Sequence, residues 1–263
     1  MAYETIICSQ ANHITTITLN RPQAMNAFDF KMGDELLDYL VNLGDDPESR
    51  AVIITGSGRA FCAGGDVRFF RHSLDKAPHL AIKRLTVPLH AIIAEIRRLN
   101  KPVIAAINGF ASGAGFSLAL ACDLIVAAES ARFNSAYINI ALTPDGGLTC
   151  FLPRLIGLQR ASYLIFSGDM VDARAACELG LVNQVVKDDE LMKAATELAA
   201  RLAAAPTLAI ARSKQLLNQS ILGSLETQME HERQMVSRSA STEDFREGVL
   251  AFFAKRKAEF KGR

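Results

Sequence analysis

Hydrophobic positions in this chain switch between two periods. Near the start, "TIICSQ" and "HITTITLN" place Ile14, Ile17 and Thr18 in short β-branched runs, which predicts a pair of strands. "RPQAMNAFD" interrupts them with Pro22 and Asn26 and reads as a loop. "FKMGDELLDYLVNLG" then sets Met32, Leu36, Leu37 and Leu40 at helical spacing, with Gly44 as the expected C-cap. "AVIITG" (51–56) and "PVIAAING" (102–109) are apolar at almost every position, the pattern of strands covered on both faces. The Gly-rich loop "SGRAFCAGGDV" follows the first. The small residues of "ASGAGFSLALACD", suited to a tightly packed helix start, follow the second.

Residues 78–100 have helical period, and Pro88 is expected to mark a start or a kink. "LIVAAES" and "ARFNSA" predict two more strands, and from residue 148 helices dominate. One of these, "DARAACELG", lies between an N-cap at Asp172 and a C-cap at Gly180. "VNQVV" is the last expected strand. Residues 189–263 read as three or four helices, one opening on the capping box Ser241-Thr242-Glu243-Asp244. Units of strand, Gly-rich loop and helix recur near 52–70, 103–122 and 124–157 without a strict repeat. The fold class is therefore α/β, with an all-α tail after a change near 190–205.

Composition narrows the chemistry. With 49% hydrophobic and 22% charged residues over 263 positions, the chain has the make-up of a soluble globular protein with a sizeable core. A formal charge of +1 offers nothing that would attract nucleic acid or a membrane surface. Cys8, Cys62, Cys122, Cys150 and Cys177 include no C-x-x-C pair, so reduced thiols in the cytoplasm are expected rather than disulfides or zinc. The opening "MAYETIICSQ" lacks the basic start of a signal peptide, and no apolar run approaches a membrane span. The histidines 13, 72, 79, 90 and 231 have no metal-ligand spacing, so no metal site is expected. The basic end "KRKAEFKGR" reads as a solvated terminus.

Two Gly-rich elements, "AFCAGGDV" and "NGFASGAGFSLALACD", follow buried strands. Such loops let backbone approach a ligand, and N–H groups at a helix start can face developing negative charge. Neither is a phosphate loop, and no G-x-S-x-G elbow occurs. In "LTPDGGLT", Asp145 stands between Pro144 and Gly146–Gly147, which is by itself ordinary turn punctuation.

Together, "RPQAMNAF", "VIITGSGRAFCAGGDV", "KPVIAAINGFASGAGFSLALACDLIVAAESARF" and "GLVNQVV" resemble the enoyl-CoA hydratase/isomerase (crotonase) superfamily, in the right order and over nearly the whole chain. The resemblance implies a spiral core of ββα turns over 1–200 and a C-terminal helical oligomerisation region over 201–263. It also implies a homotrimer or homohexamer that takes acyl-CoA thioesters, with no cofactor besides the CoA of the substrate and no nucleic-acid or membrane partner. By motif position the two N–H donors of an oxyanion hole fall on Ala63 and Ala114. Substrate contacts fall on Ala24, Asn26, Ala60, Cys62, Gly64, Asp66, Gly113, Ser117 and Tyr137, with Phe260 and Lys261 reaching a neighbouring subunit's nucleotide.

The departures from the family pattern carry more information. Hydratases of this family use two glutamates, and their positions hold Ser117 and Tyr137 here. Asp145 is the acid that remains, and "TPDGG…PRLIG" with the ending "FREGVLAFFAKRKAEFKG" resembles the 1,2-epoxyphenylacetyl-CoA isomerase and Δ3,Δ2-enoyl-CoA isomerase group. Leu142, Pro144 and Leu148 are expected to desolvate that carboxylate and raise its pKa. The expectation is an isomerase with Asp145 as acid/base. The alternatives are a 4-chlorobenzoyl-CoA dehalogenase-like enzyme with Asp145 as nucleophile and His90 as base, a weak hydratase, or a non-catalytic acyl-CoA binder.

Overall fold

In the computed structural model, which describes residues 3–221 and 223–263, two sheets are wound into a spiral. The chain opens with the antiparallel pair β1 (Ile6–Ala11) and β2 (Ile14–Leu19), then α1 (Phe30–Gly44). Each following turn sends one strand into a large sheet and the next into a small one before a helix. β3 (Ala51–Gly56) and β4 (Ala60–Cys62) lead to α2 (Val67–Ser73) and α3 (Pro78–Arg98). β5 (Val103–Ile107) and β6 (Phe110–Ser112) lead to α4 (Ala114–Ala121). β7 (Leu124–Ala128) and β8 (Arg132–Asn134) lead to α5 (Leu148–Ile156) and α6 (Leu158–Ser167). β9 (Val171–Asp172), α7 (Ala173–Glu178) and β10 (Gln184–Val186) complete the sheets. The large sheet runs β1-β2-β3-β5-β7-β10, parallel from β2 onward, and the small one runs β4-β6-β8-β9.

The unbroken hydrophobicity of β3 and β5 follows from this layering. Val52 and Ile54 face the main core between the sheets and α1, α3 and α4, while Ala51 and Ile53 face α8 (Leu191–Ala203). The α8 stripe of Leu191, Ala195, Ala199 and Ala203 is small enough to lie close on the sheet, and all four are buried. The 200/201 division expected from sequence therefore falls inside a helix that covers the core. Beyond it, α9 (Thr207–Gln219), α10 (Leu225–Ala240) and α11 (Glu243–Phe253) form the helical extension. Buried Lys214 of α9 anchors this extension: its Nζ donates to Asp123 Oδ2 (2.7 Å) and to the Lys101 carbonyl (3.1 Å).

Several local expectations need correction. Gly44 is the last helical residue of α1 and is not left-handed; the cap is Asp45 in a right-handed conformation. α3 begins at Pro78, which occupies the first helical turn, and continues through Pro88 without a break. α2 was hidden by the glycines before it, although Asp66 caps it by accepting from Arg68 N at 3.0 Å. Asp172 caps α7 as expected, but Thr242 and not Ser241 caps α11, accepting from Phe245 N. The basic end is folded back, with Lys261 N and Gly262 N both donating to the buried Asp244 carboxylate (2.6 and 2.8 Å).

Candidate active site

A cavity of about 370 Å³ opens where α2, α3, the start of α4 and the 136–145 segment meet. Phe28, Val67, Phe70, Ile82, Leu85, Leu89, Ile140 and Leu142 make most of its wall. Gly64, Gly65, Gly113 and Ala114 also line it, together with the polar residues Thr86, Tyr137, Asn139, Thr143 and Asp145. Asp145 is the one charged side chain in that lining among the described residues.

The Gly113–Ala114 edge forms because α4 starts directly beneath the small sheet. A Cβ on Gly115 would stand 2.0 Å from the Cys62 carbonyl oxygen, so any larger residue would lift the helix start off β4. Gly113 N is committed to Asn134 O (3.1 Å), whereas Ala114 N, at the first position of the helix, has no acceptor among the described residues.

Across the cavity the structure separates two amides that sequence position does not distinguish. Ala63 N, the expected donor, is already bonded to Met25 O at 3.1 Å. Two residues on, Phe28 N donates to Gly64 O (2.7 Å) and Asp66 N donates to Phe28 O (2.9 Å). That isolated bridge leaves Gly65 N without an acceptor among the described residues and beside the cavity. The donor assignment at Ala63 is therefore corrected: its N–H is spent on the loop, and the available one is on Gly65.

Asp145 is held at three points. Tyr137 Oη donates to its Oδ1 at 2.5 Å, Ser117 Oγ donates to its main-chain carbonyl at 2.9 Å, and the next residue, Gly146, donates its N–H to His90 Nε2 at 3.3 Å. Ser117 Oγ also stands 3.2 Å from the Tyr137 oxygen. The turn needs glycine here: Gly146 has φ +59°, and a Cβ would come within 2.8 Å of Ser117 Cβ. Burial pushes the Asp145 carboxyl above the ordinary aspartate range, opposed by the Tyr137 bond and the nearby His90 imidazole. Burial, followed by the Asp145 charge, raises the Tyr137 phenol, which keeps it protonated as a donor.

The remaining expected contacts are distributed differently. Gly64, Gly113 and Tyr137 line the cavity, whereas Ser117 is fully buried behind Asp145. Asn26, Ala60 and Cys62 are also buried. Asn26 stitches its loop to the sheet, donating to Ser57 O (2.9 Å) and Ala60 O (2.7 Å) and accepting from Arg21 N (2.8 Å). Ala24 lies in the 3-10 turn Pro22–Ala24, outside the cavity lining. Asp66 caps α2 and pairs with Arg21 rather than facing the cavity. Phe260 packs beside Gly248 and Lys261 N is held by Asp244, so within one chain neither reaches the site. No cluster of three or more His, Cys, Asp or Glu suited to a metal ion occurs among the described residues. No helix among them is long and apolar enough to cross a membrane.

A spiral of ββα turns with two amides unpaired among the described residues, on Gly65 and Ala114, beside an apolar cavity is the architecture of the crotonase fold. Residues 9–263 match the enoyl-CoA hydratase/isomerase family, and the chain belongs to it. It is 38% identical to the 1,2-epoxyphenylacetyl-CoA isomerase of Escherichia coli, over 99% of each chain. It is 37% identical to the 2,3-dehydroadipyl-CoA hydratase of the same organism, over 98% of this chain and 99% of that one. Among solved structures, an enoyl-CoA hydratase from Bacillus anthracis superposes with a TM-score of 0.93 at 35% identity, covering 99% of this chain and 100% of that one. The protein is thus an enzyme of a family acting on CoA thioesters, similar to isomerases and hydratases alike.

Proposed function

We propose that the protein is an acyl-CoA isomerase that moves a double bond, or rearranges a ring epoxide, next to the thioester. Gly65 N–H and Ala114 N–H donate to the thioester oxygen. The Asp145 carboxylate removes a proton from the carbon beside the carbonyl, the electron pair delocalises onto the oxygen held by the two amides, and Asp145 returns the proton further along the chain. Fixed donors of this kind are worth about 3–4 kcal/mol each in a dry site. No cofactor beyond the CoA of the substrate enters these steps.

The observation that carries the reading is the triple grip on Asp145. The two positions where family hydratases carry glutamates hold hydroxyls: Tyr137 donates to the Asp145 carboxylate, and Ser117 to the main-chain carbonyl of the same residue. A base lifted by burial above the ordinary aspartate range suits reversible proton transfer. A dehalogenase is disfavoured because the His90 Nε2 lone pair is used by Gly146 N–H and His90 is not part of the cavity wall. The wall offers no cation to a carboxylate-ended acyl chain, so a neutral aliphatic or aromatic acyl group is the proposed substrate class.

The C-terminal apolar residues Phe245, Val249, Phe252 and Phe253 are exposed in one chain, which supports a homotrimer or homohexamer. The free cysteines support a cytoplasmic setting. One purified sample tests the reaction. Given a 3-enoyl-CoA, the enzyme should raise the absorbance of the conjugated thioester. Given a 2-enoyl-CoA, it should not bleach that absorbance at a comparable rate. Bleaching without any 3-enoyl activity would make it a hydratase.

A further inference from the structure

One guanidinium ties together both walls of the loop that carries Gly65. Arg21 Nη2 lies 3.0 Å from Asp29 Oδ2 and 2.9 Å from Asp66 Oδ2, and Nη1 donates to the Ala27 carbonyl. Each carboxylate is at the same time a helix cap: Asp29 accepts from Met32 N at the start of α1, and Asp66 accepts from Arg68 N at the start of α2. Between these caps lies the bridge of Phe28 to Gly64 and Asp66, which leaves Gly65 N unpaired. The Arg21 and Asp66 side chains are 16% and 10% exposed, so this ion pair is shielded from solvent competition. None of the three charged groups lines the cavity.

We propose that Arg21 is a positioning residue for the Gly65 donor, acting through Asp66 and Asp29. This rests on the reading of Gly65 and Ala114 as the oxyanion donors. Gly65 has no side chain to fix it, and its N–H lies in the planar peptide shared with the Gly64 carbonyl, which Phe28 N holds at 2.7 Å between the Arg21-bound residues Ala27 and Asp29. Its direction is set by the residues on either side, and the Asp66 side is fastened by Arg21. The same fastening sets where α2 begins, so the Phe70 ring, whose tip would lie 2.7 Å from a Cβ on Gly65, moves with the donor. A displacement of about 1 Å in such a group costs on the order of 100-fold in rate.

The test uses the full-length enzyme and cinnamoyl-CoA, a chromophoric enoyl thioester without a γ-proton to transfer. Polarisation of its carbonyl by two N–H donors shifts its absorbance to longer wavelength on binding. Wild type should show that shift. Arg21→Met should lose most of it, with kcat for a 3-enoyl-CoA down about 10- to 100-fold and KM changed only a few-fold. Arg21→Lys, whose single ammonium can meet the carboxylates but has no second nitrogen for the Ala27 carbonyl, should recover part of both signals. Asp66→Asn keeps the helix cap and removes the ion pair, and should reproduce Arg21→Met. The double variant should be no worse than either single one.

If Arg21→Met does not fold, as judged by circular dichroism, Arg21→Lys and Asp66→Asn decide the matter by the same readings. A full absorbance shift with kcat within two-fold of wild type in the folded variants overturns the clamp. Absence of the shift in wild type overturns the donor assignment itself, and the clamp falls with it.

Discussion

Removing the Tyr137 hydroxyl should retune Asp145 without emptying the site. Tyr137→Phe keeps the buried ring and deletes the 2.5 Å bond to Asp145 Oδ1. That bond favours the ionised carboxylate, because a protonated acid accepts from the phenol more weakly. Hydrogen bonds to charged groups are worth about 1.5–3 kcal/mol. At 1.36 kcal/mol per tenfold, the proton affinity of Asp145 should rise about ten- to a hundred-fold. The direction follows from the role of Asp145. A general base works ionised, so kcat is present above its pKa and falls as the pH drops through it. Burial has already raised that pKa, with the Tyr137 bond as the first restraint on the rise, and losing the restraint moves the acid limb to higher pH. The assay is kcat against pH with a 3-enoyl-CoA. At the alkaline plateau Tyr137→Phe should come within a few-fold of wild type, while on the acid side the two curves should separate by the full factor. An unmoved acid limb would refute this account. A plateau lowered a hundred-fold would place the phenol in the chemistry itself.

Other perturbations probe the same construction. Asp145→Asn keeps the shape of the turn and removes the base, so turnover should fall by at least about 100-fold. Because burial raises the Asp145 pKa on folding, its ionisation weakens the fold as pH rises through that pKa. Asp145→Asn should therefore melt at the same or higher temperature than wild type above that pKa, and a drop of several degrees would contradict it. Gly115→Ala should lower the yield of folded protein sharply and abolish activity in what remains, since the added carbon meets backbone at 2.0 Å; wild-type melting would show that α4 can shift freely. Asp123→Asn leaves Lys214 buried without its counter-charge and should destabilise by about 3–5 kcal/mol, toward the lower end because Asp123 is partly exposed. Denaturant unfolding measures this directly.

The elements were largely legible because their causes are local. Unalternating strands such as "AVIITG" announce a sheet covered on both faces, and Asp172 with Gly180 brackets a helix within a few residues. Where the reading failed, a neighbour in space overrode the local signal. The glycines of "CAGGD" hid a helix whose cap, Asp66, was visible, and the basic tail is ordered because buried Asp244 accepts two of its amides.

For the site, the sequence by itself determined which residue types were present: an acid in a Pro-Asp-Gly-Gly turn, hydroxyls at Ser117 and Tyr137, and small residues where backbone must approach a ligand. It could not determine which amide was free. Ala63 and Gly65 differ in availability only because the Met25 carbonyl, from a distant loop, accepts one of them and Phe28 bridges around the other. Nor could it show that Ser117 and Tyr137 converge on Asp145, or that Arg21 joins two helix caps. Hydrophobic period and caps act over a few residues and are written along the chain. Hydrogen-bond partners of the backbone are assigned across the fold, and only the tertiary structure decides them.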